Sequence, residues 1–599
     1  YEIGQSSVCQ YHTGTQLKPF HLNIYNLQGN NDAESKIEEE ASRLQATMDL
    51  RAGEMIRVGL FQTDQGQHLL IAIHHLVIDG VSWRILLEDL ESAYTQALQG
   101  KAIALPDKTD SFQYWSDRLA EYSNSRTLLK EKAYWQQIEG VQCESPFPQK
   151  STVTDEGGVK KERTSIAVRL DKQDTQLLLG TAHQAYNTEI NDLLLSALGL
   201  TIKQWAGSKI FAINLEGHGR EEIMEEIDVT RTIGWFTSMF PIVLDMRDSE
   251  DISSVIRRTK EMIRHIPNRG IGYGVLKYLT DVEHTQDLDF NIQPQISFNY
   301  LGQFMDGTQE GSFESSPLSP GRSVGEGAES HFTLDINSIV SQDQLLLEFG
   351  YIRGEHADHA IEQLSLMYIE HLKMLINHCT SISQKVLTPS DYQDHTLSIP
   401  ELDQILKQFG GTEQVEHIYP LTPMQQGMLF HYMMEPETTA YVEQVAIEME
   451  GELQQELLEQ SFQELLAKYE VLRTNFVFTS IREPRQVVRK HQQAEFQFYD
   501  LTGMDEQEIT AYLEDYKKQD LLRGFDLSNE ALIRINVLKT TPDKFLMMWT
   551  FHHMIMDGWC VGIVYHDFMS MYLDLKNGRP LKSETAPAYS TYIRWLEKQ

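Results

Sequence analysis

The sequence is poor in cysteine, with only Cys9, Cys143, Cys379 and Cys560 among 599 residues. These four are far apart, and none has the close spacing that a zinc site or a disulfide framework requires. The sequence also lacks an apolar run of about 18 or more residues, and no basic-then-apolar signal segment opens it. These absences exclude a disulfide scaffold and predict a cytoplasmic protein without a membrane span.

Positive charge is scarce as well. Lysine and arginine total 51 against 87 acidic residues, which gives a net charge of −36 and a pI near 4.9. Phosphate backbones and anionic lipid surfaces would be repelled over most of such a molecule, so neither nucleic acid nor a membrane is an expected partner. The 41% hydrophobic and 23% charged residues are typical of a folded globular protein, and the length predicts several lobes.

An internal repeat organises the chain. The stretch from His68 to Gly80 recurs from Phe545 to Gly558, and each copy ends in His-His-x-x-x-Asp-Gly. In each copy an apolar strand leads to the histidine pair, Asp-Gly predicts a turn, and an amphipathic helical pattern follows. The motif residues are His74, His75, Asp79 and Gly80 in the first copy and His552, His553, Asp557 and Gly558 in the second.

The repeat predicts the domain boundaries. We expect a first domain over 1–380, an inter-domain linker over 381–416 with a short helix near Glu401–Gln408, and a second domain over 417–599. The second unit opens 134 residues before its second histidine, whereas 74 residues precede His75, so we expect the first to lack about 60 N-terminal residues. Only 46 residues follow His553, which predicts an N-terminal lobe alone. Gly, Ser, Glu and Pro enrichment predicts a surface loop over 305–330.

The histidine pair is the first candidate for chemistry. Histidine as a residue type titrates near neutrality, and at a strand end its neighbours can hold one tautomer for proton transfer. Two alternatives stay open: a core histidine pair, or a metal site using His75 and Asp79, although no further His or Cys cluster completes such a site. Recurrence of the motif at the same place in two units favours a functional role.

This repeated motif is similar to the signature of the condensation-domain superfamily of nonribosomal peptide synthetases. The resemblance covers nearly the whole chain, and members share a two-lobed α+β fold with chloramphenicol acetyltransferase. It implies a V-shaped pair of lobes with a central channel, then a linker and one further N-terminal lobe. In the first unit, five segments resemble the epimerization branch in order, namely residues 74–86, 214–221, 231–241, 267–274 and 298–303.

The second unit resembles a condensation domain of the type that takes a D-configured donor and an L-configured acceptor. The resemblance rests on residues 419–431, 472–476 and 552–559. Since only one lobe is expected, we do not expect condensation from this unit as it stands. The string Phe409 to Glu413 lacks a carrier domain's serine, so the resemblance implies a substrate on the 4'-phosphopantetheine arm of a carrier outside this chain. Upstream and downstream peptidyl carrier domains and adenylation domains of the same synthetase are the implied partners.

The implied reaction inverts the Cα of an L-aminoacyl or L-peptidyl thioester to the D form. The thioester acidifies the Cα–H, so a base on one face, an acid on the other and enolate stabilisation suffice, and we expect no metal and no pyridoxal phosphate. By resemblance His75 and Glu216 are the acid–base pair, and burial of Glu216 would raise its pKa toward neutrality. Which of the two removes the L proton stays open. His553 is the corresponding catalytic residue of the second unit.

Supporting roles follow from the same resemblance. We expect Asp79 to pair with an arginine that fixes the His75 loop, and Gly80 to permit close backbone approach. The remaining supporting residues are Asn299, Tyr300 and Arg231, which are implied to line the active site, and His74, His552, Asp557 and Gly558 of the motifs. Trp83, Trp235 and Phe236 are predicted to serve packing.

Two other functions use the same motif. A carrier- or coenzyme-A-dependent acyltransferase would share His-His-x-x-x-Asp-Gly but would leave Glu216 and residues 298–303 without a role. A noncatalytic carrier-docking module is the second alternative. Acyl transfer to small amines would identify the former, and carrier binding without turnover the latter.

Overall fold

The computed structural model describes residues 2–3, 8–12, 14, 20–147, 162–248, 251–303, 313–325, 331–353, 357–435, 438–581 and 586–597. The chain forms two compact units, Tyr1–Ser383 and Gln384–Gln599. Of the surface loop predicted over 305–330, only 313–325 is described, and it contains no helix or strand. Among the described residues, no helix has both the length and the apolar character needed to cross a membrane.

The first unit mixes helices and strands. Its strands are β1 (Glu2–Ile3), β2 (Val8–Cys9), β3 (Leu22–Asn26), β4 (Ile56–Thr63), β5 (Gly66–Ile73), β6 (Glu162–Arg169), β7 (Ile210–Gly217), β8 (Ser238–Asp245), β9 (Ile296–Gln303), β10 (Leu334–Ser341) and β11 (Gln344–Arg353). Its helices are α1 (Ala33–Ala46), α2 (Gly80–Leu98), α3 (Phe112–Tyr122), α4 (Arg126–Leu129), α5 (Lys132–Glu139), α6 (Lys172–Leu179), α7 (Ile190–Ala206), α8 (Ile252–Arg264), α9 (Ile271–Tyr278), α10 (Val282–Thr285) and α11 (Asp358–Ser381). Single 3-10 turns lie at His75–Val77, Thr181–Gln184 and Pro267–Gly270.

A six-stranded sheet in the order β6-β11-β10-β9-β7-β8 forms the larger layer of this unit. Side chains alternate between its two faces because successive residues of a strand point in opposite directions. Leu215, Phe298, Ile336 and Phe349 lie in register on one face and are buried. Helix α11 packs on β6 and β11 and on α7. The opposite face carries Glu216 and other polar residues.

A smaller sheet, β3-β4-β5, presents the histidine motif. Buried Ile37, Ala41 and Leu44 of α1 pack with Phe61 of β4. Beyond β5 the chain forms the His75–Val77 turn, and α2 begins at Gly80. The predicted order of strand, histidine pair and helix is therefore confirmed. The turn expected at Asp79-Gly80 is instead the start of the helix, with Asp79 as its N-cap.

The second unit repeats this arrangement. Its strands are β12 (Val415–Pro420), β13 (Val442–Glu450), β14 (Thr474–Val477), β15 (Arg485–Arg489), β16 (Phe496–Asp500), β17 (Ile533–Thr541) and β18 (Lys544–His552). Its helices are α12 (Ile399–Phe409), α13 (Pro423–Met434), α14 (Gln455–Lys468), α15 (Glu506–Arg523), α16 (Gly558–Lys576) and α17 (Tyr589–Glu597), with 3-10 turns at Pro389–Tyr392 and Glu470–Arg473. The strands form two sheets, β13-β18-β17-β16 and β12-β15-β14.

The internal repeat holds at the level of strand pairing. Strands β4 and β5 form an antiparallel hairpin, and β3 adds to it in parallel. Strands β17 and β18 form the equivalent hairpin, and β16 adds in parallel. In both units the histidine pair lies at the C-terminal end of the second strand of the hairpin, directly after β5 in the first unit and starting at the last residue of β18 in the second. The Asp of the motif caps the next helix in both. Both units therefore have the α+β character predicted from the sequence.

The stretch predicted as a linker differs from that expectation. From Gln384 onward it belongs to the second unit, and the predicted short helix is present as α12. Leu402, Ile405 and Phe409 of α12 are buried against Val415 and Val487. The polar composition of residues 381–416 led to the prediction of a linker. The region packs instead, because α12 buries a narrow apolar stripe and leaves its polar residues exposed.

Candidate active site

His75 stands at the end of the β5 strand, where backbone contacts fix the loop. The His74 amide donates to the Met55 carbonyl at 2.9 Å, and the Leu76 amide donates to His74 Nδ1 at 3.2 Å. The exposed ring of His75 lies edge-on to Trp235, with ring centroids 5.4 Å apart. Trp235, which was predicted to serve packing, is 40% exposed and packs on the His75 ring at the surface, not in the core.

Asp79 is buried and paired with Arg220. The Arg220 guanidinium donates to both Asp79 oxygens at 3.1 and 3.2 Å, and the Ser82 and Phe236 amides donate to the same carboxylate at 2.7 and 3.1 Å. Arg220 also donates to the carbonyls of Val229 and Thr232, each at 2.7 Å. The expected arginine partner of Asp79 is thus Arg220, which the sequence reading had not singled out.

This ion pair connects the two segments that carry His75 and Glu216. Asp79 follows His75 by four residues, and Arg220 follows Glu216 by four. The Arg220 guanidinium also lies 4.0 Å from the centre of the buried Phe236 ring. That shared spacing in the two motifs is a sequence signal from which the pair could have been predicted.

Gly219 makes the close approach of these segments possible. It has φ of +66°, and a Cβ at this position would lie 1.6 Å from the Phe236 carbonyl oxygen. No side chain fits there, and the backbone conformation itself favours glycine. Gly80 is different, because a Cβ there would meet nothing within 4 Å among the described residues. We expected another backbone segment to approach Gly80 closely, and among the described residues none does.

Glu216 lies near the end of β7 and is half-buried. Asn299 of the neighbouring β9 donates its amide to Glu216 Oε2 at 2.6 Å. Burial raises the pKa of Glu216 above the ordinary glutamate value, and the Asp335 carboxylate raises it further, while the His75 charge and the Asn299 hydrogen bond oppose the shift. Glu216 therefore holds its proton to a higher pH than an exposed glutamate does, as the sequence predicted.

A cavity of about 790 Å³ opens beside Glu216. Five of the predicted residues line it, namely Asp79, Gly80, Glu216, Asn299 and Tyr300. Burial raises the pKa of the Tyr300 phenol, which keeps it a hydrogen-bond donor. The apolar residues that line the cavity include Leu87, Leu215, Phe240, Ile263, Ile266 and Leu301. The cavity can thus hold an organic ligand with both apolar and polar parts.

Charged residues on the cavity wall are held by neighbours that the sequence reading did not assign. Arg264 is fixed by the fully buried Asp192, with contacts at 3.2 and 2.9 Å. Glu221 lies 3.1 Å from His218 Nε2, and burial raises the pKa of Glu221. Asp192 and Arg264 are distant in the sequence, and no partner had been predicted for His218 or Glu221 within their motif. Only the folded chain therefore shows these contacts.

The turn at Pro267–Gly270 adds Arg269 to the wall of the cavity. Three successive residues, Asn268, Arg269 and Gly270, have φ of 42°, 50° and 87°. Such left-handed geometry is costly for residues other than glycine. Asn268 donates to the buried Glu131 at 2.7 Å, and this contact holds the turn in place.

Arg231 lies away from this group. Its guanidinium pairs with Asp89 of α2 at 2.6 Å and approaches Glu88 at 3.6 Å. Arg231 does not line the 790 Å³ cavity. The implied role of Arg231 at the active site stays a prediction.

The motif of the second unit has different surroundings. His552 is buried, which lowers its pKa to about 4, and the Met554 amide donates to its Nδ1 at 3.2 Å. The His553 amide donates to the Tyr441 carbonyl at 2.8 Å. Asp557 is exposed and caps α16 by accepting from the Cys560 amide at 3.0 Å, and Gly558 begins that helix. Within the described ranges Asp557 forms no ion pair, unlike Asp79.

Potential metal ligands cluster elsewhere. In the part of the chain that the structure describes, Glu416, His417 and Glu470 are the group whose ligand atoms lie close enough to share an ion. Glu416 is already paired with Arg473 at 2.7 Å. The alternative pairing of His75 with Asp79 on a metal is not supported, because both Asp79 oxygens accept from Arg220.

Glu216 lies on the wall of the cavity, whereas His75 is not among the residues that line it. The segment that carries His75 is joined to that of Glu216 by the buried Asp79–Arg220 pair, so both groups of an acid–base site come from this part of the fold. The chain belongs to the condensation-domain family, whose sequence model matches residues 2–398 and 415–599. Both units thus carry the condensation-domain fold.

Curated relatives are multidomain peptide synthetases. The chain is 38% identical to bacitracin synthase 1 of Bacillus licheniformis over 599 residues, which is 100% of this chain and 11% of that protein. It is 41% identical to tyrocidine synthase 1 of Brevibacillus parabrevis over 420 residues, which is 69% of this chain and 38% of that protein. The chain therefore spans well under half the length of either relative.

The chain is also similar to a solved structure. It is the crystal structure of the epimerization domain from the third module of tyrocidine synthetase B. The identity is 43% and the TM-score 0.58, and the match covers 61% of this chain and 82% of that one.

Proposed function

We propose that the first unit inverts the Cα configuration of an aminoacyl or peptidyl thioester carried on the 4'-phosphopantetheine arm of a carrier domain. The observation that carries the proposal is the half-buried Glu216 on the cavity wall, which accepts a 2.6 Å hydrogen bond from Asn299 and whose pKa burial raises. The 43% identity to an epimerization domain supports it. An acyltransferase would need the histidine but would give Glu216 no proton to move.

Proton transfer on two faces accounts for the reaction. One of His75 and Glu216 takes the Cα proton, and the electron pair moves onto the thioester oxygen to give an enolate. The other group then donates its proton to the opposite face of Cα. After each turnover the two groups have exchanged protonation states, so they must exchange protons with solvent before the next. The Tyr300 phenol at the cavity wall is a donor that can stabilise the enolate oxygen.

Solvent exchange of the Cα proton tests this function. A carrier protein loaded with the L thioester is incubated with the chain in D2O, and deuterium at Cα is measured by mass spectrometry. We expect His75→Ala and Glu216→Gln each to slow exchange by about 10²–10⁴-fold, the usual contribution of an acid–base group. Glu88→Gln, which alters an exposed carboxylate on the same cavity, is the matched control.

The same assay separates the alternatives. Full exchange in both variants would contradict the acid–base assignment. Acyl transfer to small amines without exchange would indicate an acyltransferase, and carrier binding without either reaction a docking module. We expect exchange to persist in the presence of a metal chelator and without added pyridoxal phosphate.

We propose a condensation role for the second unit within the intact synthetase, with the D epimer as its donor. The support is its His552-His553-x-x-x-Asp557-Gly558 loop at the end of β18 and its family membership. An epimerase only equilibrates the two configurations, so selection must come from the next reaction. Single-turnover dipeptide formation should be at least about tenfold faster from the D donor, a difference of about 1.4 kcal/mol. Equal rates or an L preference would refute this selectivity.

A further inference from the structure

Trp235 is held at the surface in a short segment in which burial alternates. Thr232, Gly234 and Phe236 are buried, whereas Ile233 and Trp235 are 43% and 40% exposed. The buried residues hold the segment in place, and the two apolar side chains between them face outward. The position of the Trp235 indole is therefore set by its neighbours more than by its own burial.

The residues on both sides of Trp235 are hydrogen-bonded to the start of α2, directly after the first histidine motif. Ser82 Oγ donates to the Gly234 carbonyl at 2.9 Å, and the Gly234 amide donates to Ser82 Oγ at 3.1 Å. The Phe236 amide donates to the Asp79 carboxylate at 3.1 Å. Asp79 and Ser82 are both buried, so water does not compete for these bonds. They fix Trp235 relative to the loop that carries the histidine pair.

The segment is also tightly packed. A Cβ at Gly234 would lie 2.4 Å from Phe112 Cδ2, which is closer than van der Waals contact allows. The buried Phe236 ring meets the rings of Phe112 and Trp115 edge-on, with centroids 5.1 and 4.9 Å apart. Edge-on aromatic pairs are favourable beyond the area that they bury. Buried contacts therefore hold the backbone on either side of Trp235.

The imidazole of His75 lies against the Trp235 indole. The ring centroids are 5.4 Å apart, and the ring planes are inclined by 64°. Among the described residues the His75 imidazole takes part in no hydrogen bond, whereas His74 Nδ1 accepts one from the Leu76 amide at 3.2 Å. An imidazole without a hydrogen bond can change rotamer unless a neighbouring group restrains it. The indole is the side chain placed to do so.

We propose that Trp235 is a positioning residue for the epimerization, and that its anchored indole orients the His75 imidazole and favours the protonated form of that ring. This inference rests on the proposed function of the first unit. A cation within about 6 Å of an aromatic centroid is stabilised by the ring. The charged groups on the neighbouring segments are Glu216, on which the His75 charge acts, and the paired Asp79 and Arg220. None of these three side chains hydrogen-bonds to the imidazole, so its orientation depends on the indole.

Fluorescence tests the contact without any turnover. A protonated imidazole quenches the emission of an adjacent indole, so protonation of His75 should dim Trp235. We expect the emission of the full chain to fall as the pH decreases, in a transition that is missing in Trp235→Phe and in His75→Ala. The chain has eight tryptophans, and the others are the same in wild type and both variants, so the difference belongs to Trp235. A titration that neither substitution changes would overturn the inference.

Exchange kinetics test the positioning role. With a loaded carrier in D2O, we expect Trp235→Ala to lower kcat for Cα exchange by at least about tenfold, because a misplaced acid–base group slows the chemical step. KM should change by less than about twofold, since binding of the carrier is not affected. The limb of the pH–rate profile set by His75 should move to lower pH by about 0.5 unit, because the protonated imidazole loses the ring that stabilised it, and the limb set by Glu216 should stay in place. Trp235→Phe keeps an aromatic ring and should restore most of kcat.

Ile233→Ala is the matched control, because it shortens the other exposed apolar side chain of the same segment. Its kcat and pH profile should equal those of the wild type, and the melting temperature of every variant should change little because both side chains lie at the surface. Unchanged kcat and pH profile in Trp235→Ala would overturn the inference and leave the epimerization intact. A change confined to KM would make Trp235 a substrate contact, which also overturns the inference. Absence of exchange in the unmodified chain would overturn the epimerization itself.

Discussion

Breaking the Asp79–Arg220 pair should destabilise the first unit and disable its proposed chemistry together. The side chains are only 2% and 6% exposed, so removing one partner leaves an uncompensated buried charge. Such losses cost about 3–5 kcal/mol. We therefore expect Arg220→Leu and Asp79→Asn each to destabilise the first unit by that amount. Asn at position 79 keeps an acceptor for the Ser82 amide, so the helix cap survives.

The double variant gives the sharper test. With Asp79→Asn and Arg220→Leu combined, no buried charge remains unpaired, so the loss should be smaller than the sum of the single losses by about 2–3 kcal/mol. An exposed pair provides the control. Arg84 is 65% exposed and lies 3.9 Å from Glu88, and such pairs contribute only about 0–1 kcal/mol.

Scanning calorimetry measures these effects. We expect the transition of the first unit to fall by several degrees in each single variant, while the transition of the second unit stays in place as an internal reference. The rate of Cα-proton exchange should fall together with the transition temperature of the first unit, because the Asp79–Arg220 pair joins the segments carrying His75 and Glu216. Additive losses, or an effect of Arg220→Leu no larger than that of Arg84→Leu, would refute the reasoning.

Three further outcomes follow from individual contacts. Gly219→Ala should prevent stable folding because its Cβ would overlap a backbone carbonyl, whereas Gly80→Ala should be tolerated, and thermal unfolding of both variants checks this. Asn299→Ala removes a hydrogen bond that lowers the pKa of Glu216, so the Glu216-controlled limb of the pH–rate profile should move to higher pH. Burial raises the pKa of Asp192 to about 6 in the folded protein, whereas an aspartate in the unfolded chain has a pKa of about 4. The stability that Asp192 contributes is therefore complete below about pH 4 and is lost as the pH rises through 6. Asp192→Asn should flatten that decline in unfolding free energy, and an unchanged pH dependence would contradict the assignment.

The sequence by itself determined the repeated unit and the main chemical groups. Strand, histidine pair and helix were predictable because apolar runs and helical spacing are local properties of the chain. The Asp-Gly step was predicted as a turn, but its Asp caps the helix and its Gly begins it. The raised pKa of Glu216 was also expected, since burial of a carboxyl has a known direction. The linker was misjudged because the burial of α12 depends on Val415 and Val487, which the local pattern does not reveal.

Only the tertiary structure decided which residues meet. The pairing of Asp79 with Arg220 spans 141 residues, and the contact of Asn299 with Glu216 spans 83. The close approach of Gly219 to Phe236 likewise depends on the packing of segments that are not adjacent in the sequence. Local propensity cannot specify such neighbours, because strand order and register arise when the whole sheet packs on its helices.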